Sequence, residues 1–377
     1  MRVTADRVRA PREILLTRHD PDPMTQRATL QTIADELGVS RSTVSNAYNH
    51  PEQLSDALRE RILDKAQELG YPGPDPAARR LRHGKAESVG LLFTETLSYA
   101  FADTAAVRFL GGLASRCERM HAPLLLIPMS AAGHEADAVR DAVVDALCIY
   151  SIPDGHPALD AARERNLPTV VVDEPLVDDL TFVGIDDRQG SRLLGEHLME
   201  LGHRKIAVIV PRLTGEGEPG FVDAERLAKA AYKVDRDRLA GIDDALTKAG
   251  VAKQDKTIYE CANREDAGAS AAKELLGADP RPTAIMATTD QLALGAIRGA
   301  REIGLRVPQD VSITGFDDIP EAALSDPPLT TARQPLVEKG EVAGDMLMQL
   351  ADGVVPADVT LPVSLVVRGS TAPPTGG

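Results

Sequence analysis

Between positions 41 and 49 the chain reads RSTVSNAYN. If this stretch is a helix whose buried face is Val44 and Tyr48, then Arg41, Ser42, Thr43, Ser45, Asn46 and Asn49 remain for its outer side. Such side chains are equipped to read base-pair edges. An arginine fork fits guanine, an asparagine amide fits adenine, and serine or threonine hydroxyls reach either base or a phosphate. A helix that faces only water more often carries Glu and Lys.

No comparable constellation argues for catalysis or for a bound metal. The motif GEGEPG (Gly215 to Gly220) satisfies the dinucleotide spacing, but four residues separate it from the run KIAVIV, two glutamates would repel a pyrophosphate, and Pro219 disrupts the turn. His197 and His203 are not spaced as a metal pair, and HEADAV at His134 lacks a second histidine. No GxSxG elbow is present. Three cysteines, Cys117, Cys148 and Cys261, show no CxxC spacing and fit a reducing compartment, so the expectation is a cytoplasmic protein that is not an enzyme and needs no cofactor.

The elements that must position the reading helix are legible around it. Leu30, Ile33, Ala34 and Leu37 recur at helical spacing, Thr29 can cap that helix, and Gly38 can end it. Ser40 can cap the second helix, and a third runs from about Ser55 to Leu69 with Leu58, Ile62, Ala66 and Leu69 on one side. The three together can close a small core. Directly after them, ARRLRHGK (Ala78 to Lys85) forms a basic cluster, too short and basic to be a stable isolated helix. Residues 1–85 hold 14 Lys+Arg and 12 Asp+Glu, so the net charge of −15 arises downstream. A local basic edge can still engage phosphates, because salt confines charge effects to roughly 8 Å.

From residue 88 the pattern changes. The apolar runs SVGLLF, PLLLIP, DALCIY, TVVVD, FVGI, KIAVIV, AIMA and VSITGF are strand length and alternate with helix-like segments, which argues for parallel α/β sheets covered on both faces. That much chain is too long for one ordinary sheet, so two lobes are expected. No apolar run reaches the ~18 residues of a membrane span. The first 23 residues lack the apolar core of a secretion signal and read as a disordered tail, with Met24 as an alternative start to Met1.

Several blocks in order carry a resemblance to a known family. TLQTIADELGVSRSTVSNAYN, LRERILDKAQELGY, DPAARRLRHGKAESVGLL, VGIDDRQGSRLLGEHLMELGHRKIAVI, RLAGIDDAL, PTAIMATTDQLALGAIRGAREIGLRVPQDVSITGFDDI and PPLTTARQPL resemble the lac repressor (LacI/GalR) family of bacterial transcription regulators over roughly residues 28–370. The resemblance implies an all-α helix-turn-helix head followed by a two-lobed α/β ligand domain of the type I periplasmic-binding-protein kind, with parallel sheets. It also implies a homodimer that binds double-stranded DNA at a palindromic operator and answers to a small-molecule effector. The corresponding boundaries are a tail at 1–26, the head at 27–73, a hinge segment at 74–87, the effector and dimerisation domain at 88–371, and a tail at 372–377. Its first lobe is expected at about 88–186 and 307–336 and its second at about 187–306 and 337–371, with crossings near Asp186, Arg306 and Leu336.

Thr29 is grouped with Arg41, Ser42, Thr43, Ser45, Asn46 and Asn49 as DNA-facing. By the same resemblance the hinge folds on DNA and wedges Leu81 into the minor groove, while Arg79 and Arg80 touch phosphate. Ser98, Phe101, Arg238, Asn263 and Asp290 are the implied effector residues, Arg238 and Asp290 as a clamp on adjacent hydroxyls. Two positions depart from the family pattern. Asn263 stands where several members stack an aromatic, which favours a sugar or polyol over a purine, and Asn46 stands where many carry Arg. A two-lobed solute receptor would share the second domain but would need export and has no use for the head; an α/β enzyme would show a catalytic or cofactor motif.

Overall fold

The computed structural model describes residues 28–49, 51–71, 88–93, 96–128, 133–211, 213, 218–252 and 255–375, in two compact units divided between Lys85 and Ala86. Arg79, Arg80, Leu81 and the tail expected at 1–26 lie outside the described residues.

The described residues of the first unit form three helices, α1 (Leu30–Leu37), α2 (Arg41–Asn49) and α3 (Asp56–Glu68), with one 3-10 turn at Pro51–Gln53. Thr29 closes a capping box, its Oγ1 accepting from the Thr32 backbone N–H at 3.2 Å. Gly38 ends α1 at φ 67°, a left-handed conformation that glycine adopts without a Cβ penalty. The turn into α2 is short because Ser40 begins capping at once, accepting from the Thr43 N–H at 3.0 Å. Ile33, Ala34, Val44, Ala47, Ile62 and Ala66 form the core, with Tyr48 set edge-on to Tyr71.

The second unit alternates strands and helices. Its elements run β1 (Val89–Phe93), α4 (Leu97–Ala100), α5 (Thr104–Arg119), β2 (Leu124–Ile127), α6 (Glu135–Asp141), β3 (Ala146–Tyr150), α7 (Pro157–Arg165), β4 (Thr169–Val172) and β5 (Thr181–Ile185). After a first crossing at Asp186 come α8 (Asp187–Glu200), β6 (Ile206–Val210), β7 (Gly220–Phe221), α9 (Ala224–Ala228), α10 (Lys233–Lys248), β8 (Lys256–Glu260), α11 (Glu265–Leu276) and β9 (Ala284–Ala287). The chain then gives α12 (Asp290–Glu302), β10 (Ser312–Asp317), α13 (Pro320–Leu324), β11 (Thr330–Arg333), α14 (Leu336–Ala351), β12 (Val359–Leu361) and β13 (Ser364–Val366).

The described strands form two sheets, ordered β12-β5-β4-β3-β1-β2 and β13-β11-β10-β9-β6-β8-β7. The first is parallel throughout; in the second only the edge strands β13 and β7 run antiparallel. Central strands β1, β4, β5, β6 and β9 are buried at every position, which is why they read as unbroken apolar runs. No helix among the described residues is long and apolar enough to cross a membrane.

The lobe boundaries differ from those expected. β10 pairs with β9 and β11 pairs with β10, so residues 312–333 belong to the second lobe, not the first. Conversely α14 packs against α5, where a Cβ on Gly340 would stand 2.2 Å from the Phe109 carbonyl, and β12 pairs with β5, so residues 336–361 belong to the first lobe. The crossings fall at Asp186, at Gln334 and Pro335, and at Pro362 and Val363. Arg306 is no crossing: it sits between α12 and β10 within one lobe, its Nε donating to Asp310 at 2.9 Å. In the tail expected at 372–377, residues 372–375 are docked rather than free. His203 Nε2 lies 2.9 Å from the Ala372 carbonyl, and Thr375 donates to the Gln309 carbonyl at 3.0 Å.

Candidate functional site

In the head, α2 presents Arg41 and Ser42 to solvent, with Thr43 and Asn46 partly exposed. The hydroxyls of Ser42 and Thr43 each lie 2.7 Å from Ser40 Oγ, and Asn46 Nδ2 donates to Gln53 at 3.0 Å, so their positions are set before any partner arrives. Ser45 does not belong to this face. It is 8 % exposed and turned inward beside Val44 and Ala47, because residues 44, 45 and 47–48 share the α2 arc that meets α1 and α3. Thr29 spends its hydroxyl on the capping box. Asn49 closes α2.

The second unit holds a cavity between its lobes, with about 860 Å³ of space including its mouth. Its walls come from the carboxyl ends of the strands: Phe93 at the end of β1, Tyr150 at the end of β3 with Ser151 next to it, Asp173 and Glu174 after β4, Pro211 after β6, Asn263 after β8 and Asp317 at the end of β10. This is where open α/β sheets bind ligands, since helix starts and strand-end loops converge there.

Among the described residues lining the cavity, Arg238 is the cation. Its Nε donates to Asp187 at 2.8 Å and its Nη1 to the Thr288 carbonyl at 2.5 Å; Asp317 lies 3.8 Å away, and the guanidinium rests 3.8 Å over the Phe316 ring. The reach from α10 to Asp187 on α8 depends on Gly241. A Cβ there would sit 2.0 Å from the Arg188 carbonyl, so glycine lets the two helices approach until Arg238 meets its partner. Burial would pull the guanidinium toward deprotonation, and the carboxylates of Asp187 and Asp317 more than reverse that, raising its pKa.

Carboxyl groups dominate the rest of the wall. Asp103 caps α5 through the Ala105 N–H at 3.0 Å. Glu174, 1 % exposed, accepts from Ser151 Oγ at 2.7 Å and from the Val234 N–H at 3.0 Å. Burial pushes Glu174 up to about 7 against those bonds, and Asp317 up to about 7 against the pull of Arg238. Asp103 is raised by burial as well. Asp173 and Asp317 both hold positive φ, 64° and 120°, strained values for residues with a side chain and typical of positions fixed for a site. Lys339, 1 % exposed, donates to Asp173 at 2.7 and 2.8 Å and to Gln334 Oε1 at 2.6 Å, while Gln334 Nε2 donates to Asp317 at 2.5 Å. A buried polar chain thus runs from one lobe through the second crossing to the other.

Other bonds tie the lobes at the cavity's far side. Asn263 Nδ2 donates to Tyr99 Oη at 2.7 Å while its Oδ1 accepts from Thr289 at 2.7 Å, and Gln291 donates to the Ala102 carbonyl at 3.0 Å. Arg236 reaches Asp154 at 2.6 Å. Glu174 makes the least expected link. Tyr232 gives α10 no side-chain cap, and Glu174, from the opposite lobe, supplies one at Val234.

Of the five residues assigned to an effector by sequence, Arg238 and Asn263 line the cavity. Ser98 and Phe101 do not: both are exposed on α4 and its cap, and Tyr99 between them is the residue that faces in. Asp290 is excluded too. It is fully buried, accepting from Thr331 Oγ1 at 2.6 Å and from the Ile319 N–H at 2.9 Å, so it braces α12 against β11. One step along the helix start, Thr289 takes the cavity side. Asp103, Asp173, Glu174 and Asp317 were missed. A signal existed for the last three, in the acids that directly follow the strand runs in VVVDEP and ITGFDD.

Comparison with known proteins agrees with both units. Residues 29–73 match the model for bacterial regulatory proteins of the lacI family, and residues 196–371 match a periplasmic binding protein-like domain. An HTH-type transcriptional regulator of Mycobacterium tuberculosis is 44% identical over 354 residues, spanning 93% of this chain and 98% of that protein. Among solved structures, the lac repressor dimer bound to operator and the anti-inducer ONPF is 29% identical at a TM-score of 0.72, covering 92% of this chain and 100% of that one. The complex of the transcriptional regulator CelR with cellobiose is 27% identical at a TM-score of 0.66, covering 91% and 100%.

Proposed function

The chain belongs to the lacI family of bacterial transcriptional regulators, and we propose that it is a repressor whose hold on a palindromic operator is set by a small polar effector, of the sugar or nucleoside class, in the cavity between its lobes. The observation that carries this reading is the cavity itself: polar, closed by strand ends of both lobes, and spanned by bonds from one lobe to the other. A lac repressor dimer holding operator and an anti-inducer, and CelR holding cellobiose, supply the pattern of partners.

The mechanism is linkage. A ligand that binds one lobe arrangement better than another shifts their balance by its difference in affinity, and nothing more. In a homodimer, a change in the angle between lobes moves the first lobes of the two protomers, and with them the paired segments around Leu81 that must fold side by side on the duplex. Arg41 and Asn46 on α2 then read base edges while Arg79 and Arg80 meet phosphate. No step of covalent chemistry is assigned to the chain.

The test is selection of duplexes from a random pool by the purified protein, followed by anisotropy titrations at rising salt. An inverted repeat should emerge, and its affinity should fall steeply with salt as phosphate contacts release counterions. The chain lacking residues 1–85 should lose this binding. Selection of no symmetric sequence, or equal binding by the shortened chain, refutes the reading.

A further inference from the structure

The cavity wall is rich in acids. Asp103, Asp173, Glu174, Asp235 and Asp317 line it, and Asp187 stands directly behind Arg238. Against these six acids the described residues set three cations, Lys339, Arg238 and Lys233. Lys339 is consumed by Asp173 and Gln334, and Arg238 by Asp187, Asp317 and the Thr288 carbonyl. Lys233, the other cation whose charge reaches Glu174 and Asp187, is paired with Asp237 at 2.6 Å. Among the described residues an incoming anion therefore finds no uncommitted cation to offset its desolvation, and at about pH 8 it meets several ionised carboxylates, which are acceptors only.

From this arrangement we infer that the cavity selects a hydroxyl-rich ligand bearing no negative charge and turns away its phosphorylated or carboxylated counterparts. The inference rests on the reading that the cavity holds the effector. Hydroxyls donate into the carboxylates and neutralise nothing, so they suit a wall already in excess of negative charge. A phosphate or uronate group would add like charge at low dielectric, where repulsion between groups a few ångströms apart is worth at least about tenfold in affinity. Arg238, Asp103 and Asp317 are then specificity-determining residues: the guanidinium orients hydroxyls, and the acids exclude.

The experiment is thermal denaturation of the full chain at about pH 8 and constant ionic strength, with neutral monosaccharides and polyols at about 10 mM, each beside its own phosphate ester or uronate. Every stabilising compound should be uncharged or ammonium-bearing, with its anionic partner at least about tenfold weaker. A phosphate ester or uronate that stabilises as well as its parent overturns the inference. If no compound stabilises while operator binding is intact, the effector reading fails instead. A ligand-free arm separates the two. In Asp317→Asn the isosteric amide still accepts from Gln334, and it should raise the melting temperature at about pH 8 but not near pH 5, where the wild-type carboxyl is already protonated. An equal loss at both pH values would mean that the wall carries no surplus charge, and the selection would fall with it.

Discussion

Replacing Arg238 by methionine preserves length and contact with the Phe316 ring while removing the guanidinium. Three interactions disappear: the 2.8 Å pair with Asp187, the bond to the Thr288 carbonyl, and the attraction of Asp317 at 3.8 Å. Removing one partner of a buried ion pair costs about 3–5 kcal/mol, because the remaining charge is left without compensation. Asp187 and Asp317 can escape part of that cost by taking up protons. Asp317 is raised to about 7 in the folded protein, above its unfolded value, so the folded state binds more protons and stability falls as pH rises toward 7. Loss of Arg238 lifts the folded pKa further and extends that fall to higher pH. The deficit of the variant should therefore be near its full size at about pH 8 and smaller by about 1–2 kcal/mol near pH 5.5, at about 1.4 kcal/mol per unit of added shift. Urea denaturation followed by circular dichroism at both pH values measures it; the chain has no tryptophan to report by fluorescence. A deficit independent of pH would refute the claim that Arg238 is held by ionised acids. Operator binding should survive the substitution while any effector response is lost.

Three further outcomes are expected. Glu174→Ala removes the cap that one lobe gives to α10 of the other, worth about 1–2 kcal/mol, and should raise the ligand-free radius of gyration in X-ray scattering; an unchanged radius would show that this bond does not hold the lobes together. Gly241→Ala pushes a methyl group into the Arg188 carbonyl, and the overpacking of about 1–3 kcal/mol should exceed the helix-propensity gain of alanine, lowering the melting temperature in calorimetry; a variant as stable as wild type would show that α8 and α10 separate freely. Leu81→Ala should weaken operator binding while sparing binding to unrelated duplex, and equal loss of both would reject the minor-groove wedge.

The head could be read from sequence because its determinants are local. Thr29, the apolar positions of α1, and Gly38 lie within ten residues of one another, and each has one sensible role. Ser45 was misread because a small hydroxyl residue satisfies either face of a helix. In the second unit the buried parallel strands announced themselves, whereas β8 (KTIYE) and β11 (TTAR) carry too many polar residues to stand out, and β7, β12 and β13 are three residues or fewer. The lobe boundaries failed at Arg306 for a different reason. Which sheet receives β10 is decided by its pairing with its chain neighbours β9 and β11, and a strand-length apolar run does not by itself say which sheet it joins. The same holds for the cavity wall. Asp290 and Asp317 both follow apolar runs, and only the packed fold distinguishes the one that braces a helix from the one that faces a ligand.

The register of the last two strands has a mechanical consequence. Leu361 lies opposite Ile185, just before the first crossing, and Ser364 lies opposite Arg333, just before the second. The third crossing, Pro362 and Val363, is thus laid alongside the other two, and three Cα steps limit its ends to about 11 Å apart. Three straps fastened along one line permit swinging and twisting but almost no sliding. Groups on that axis, such as Gln334, would keep their neighbours through the whole stroke, while bonds between the lobes away from the crossings, such as that of Asn263 to Tyr99, would part.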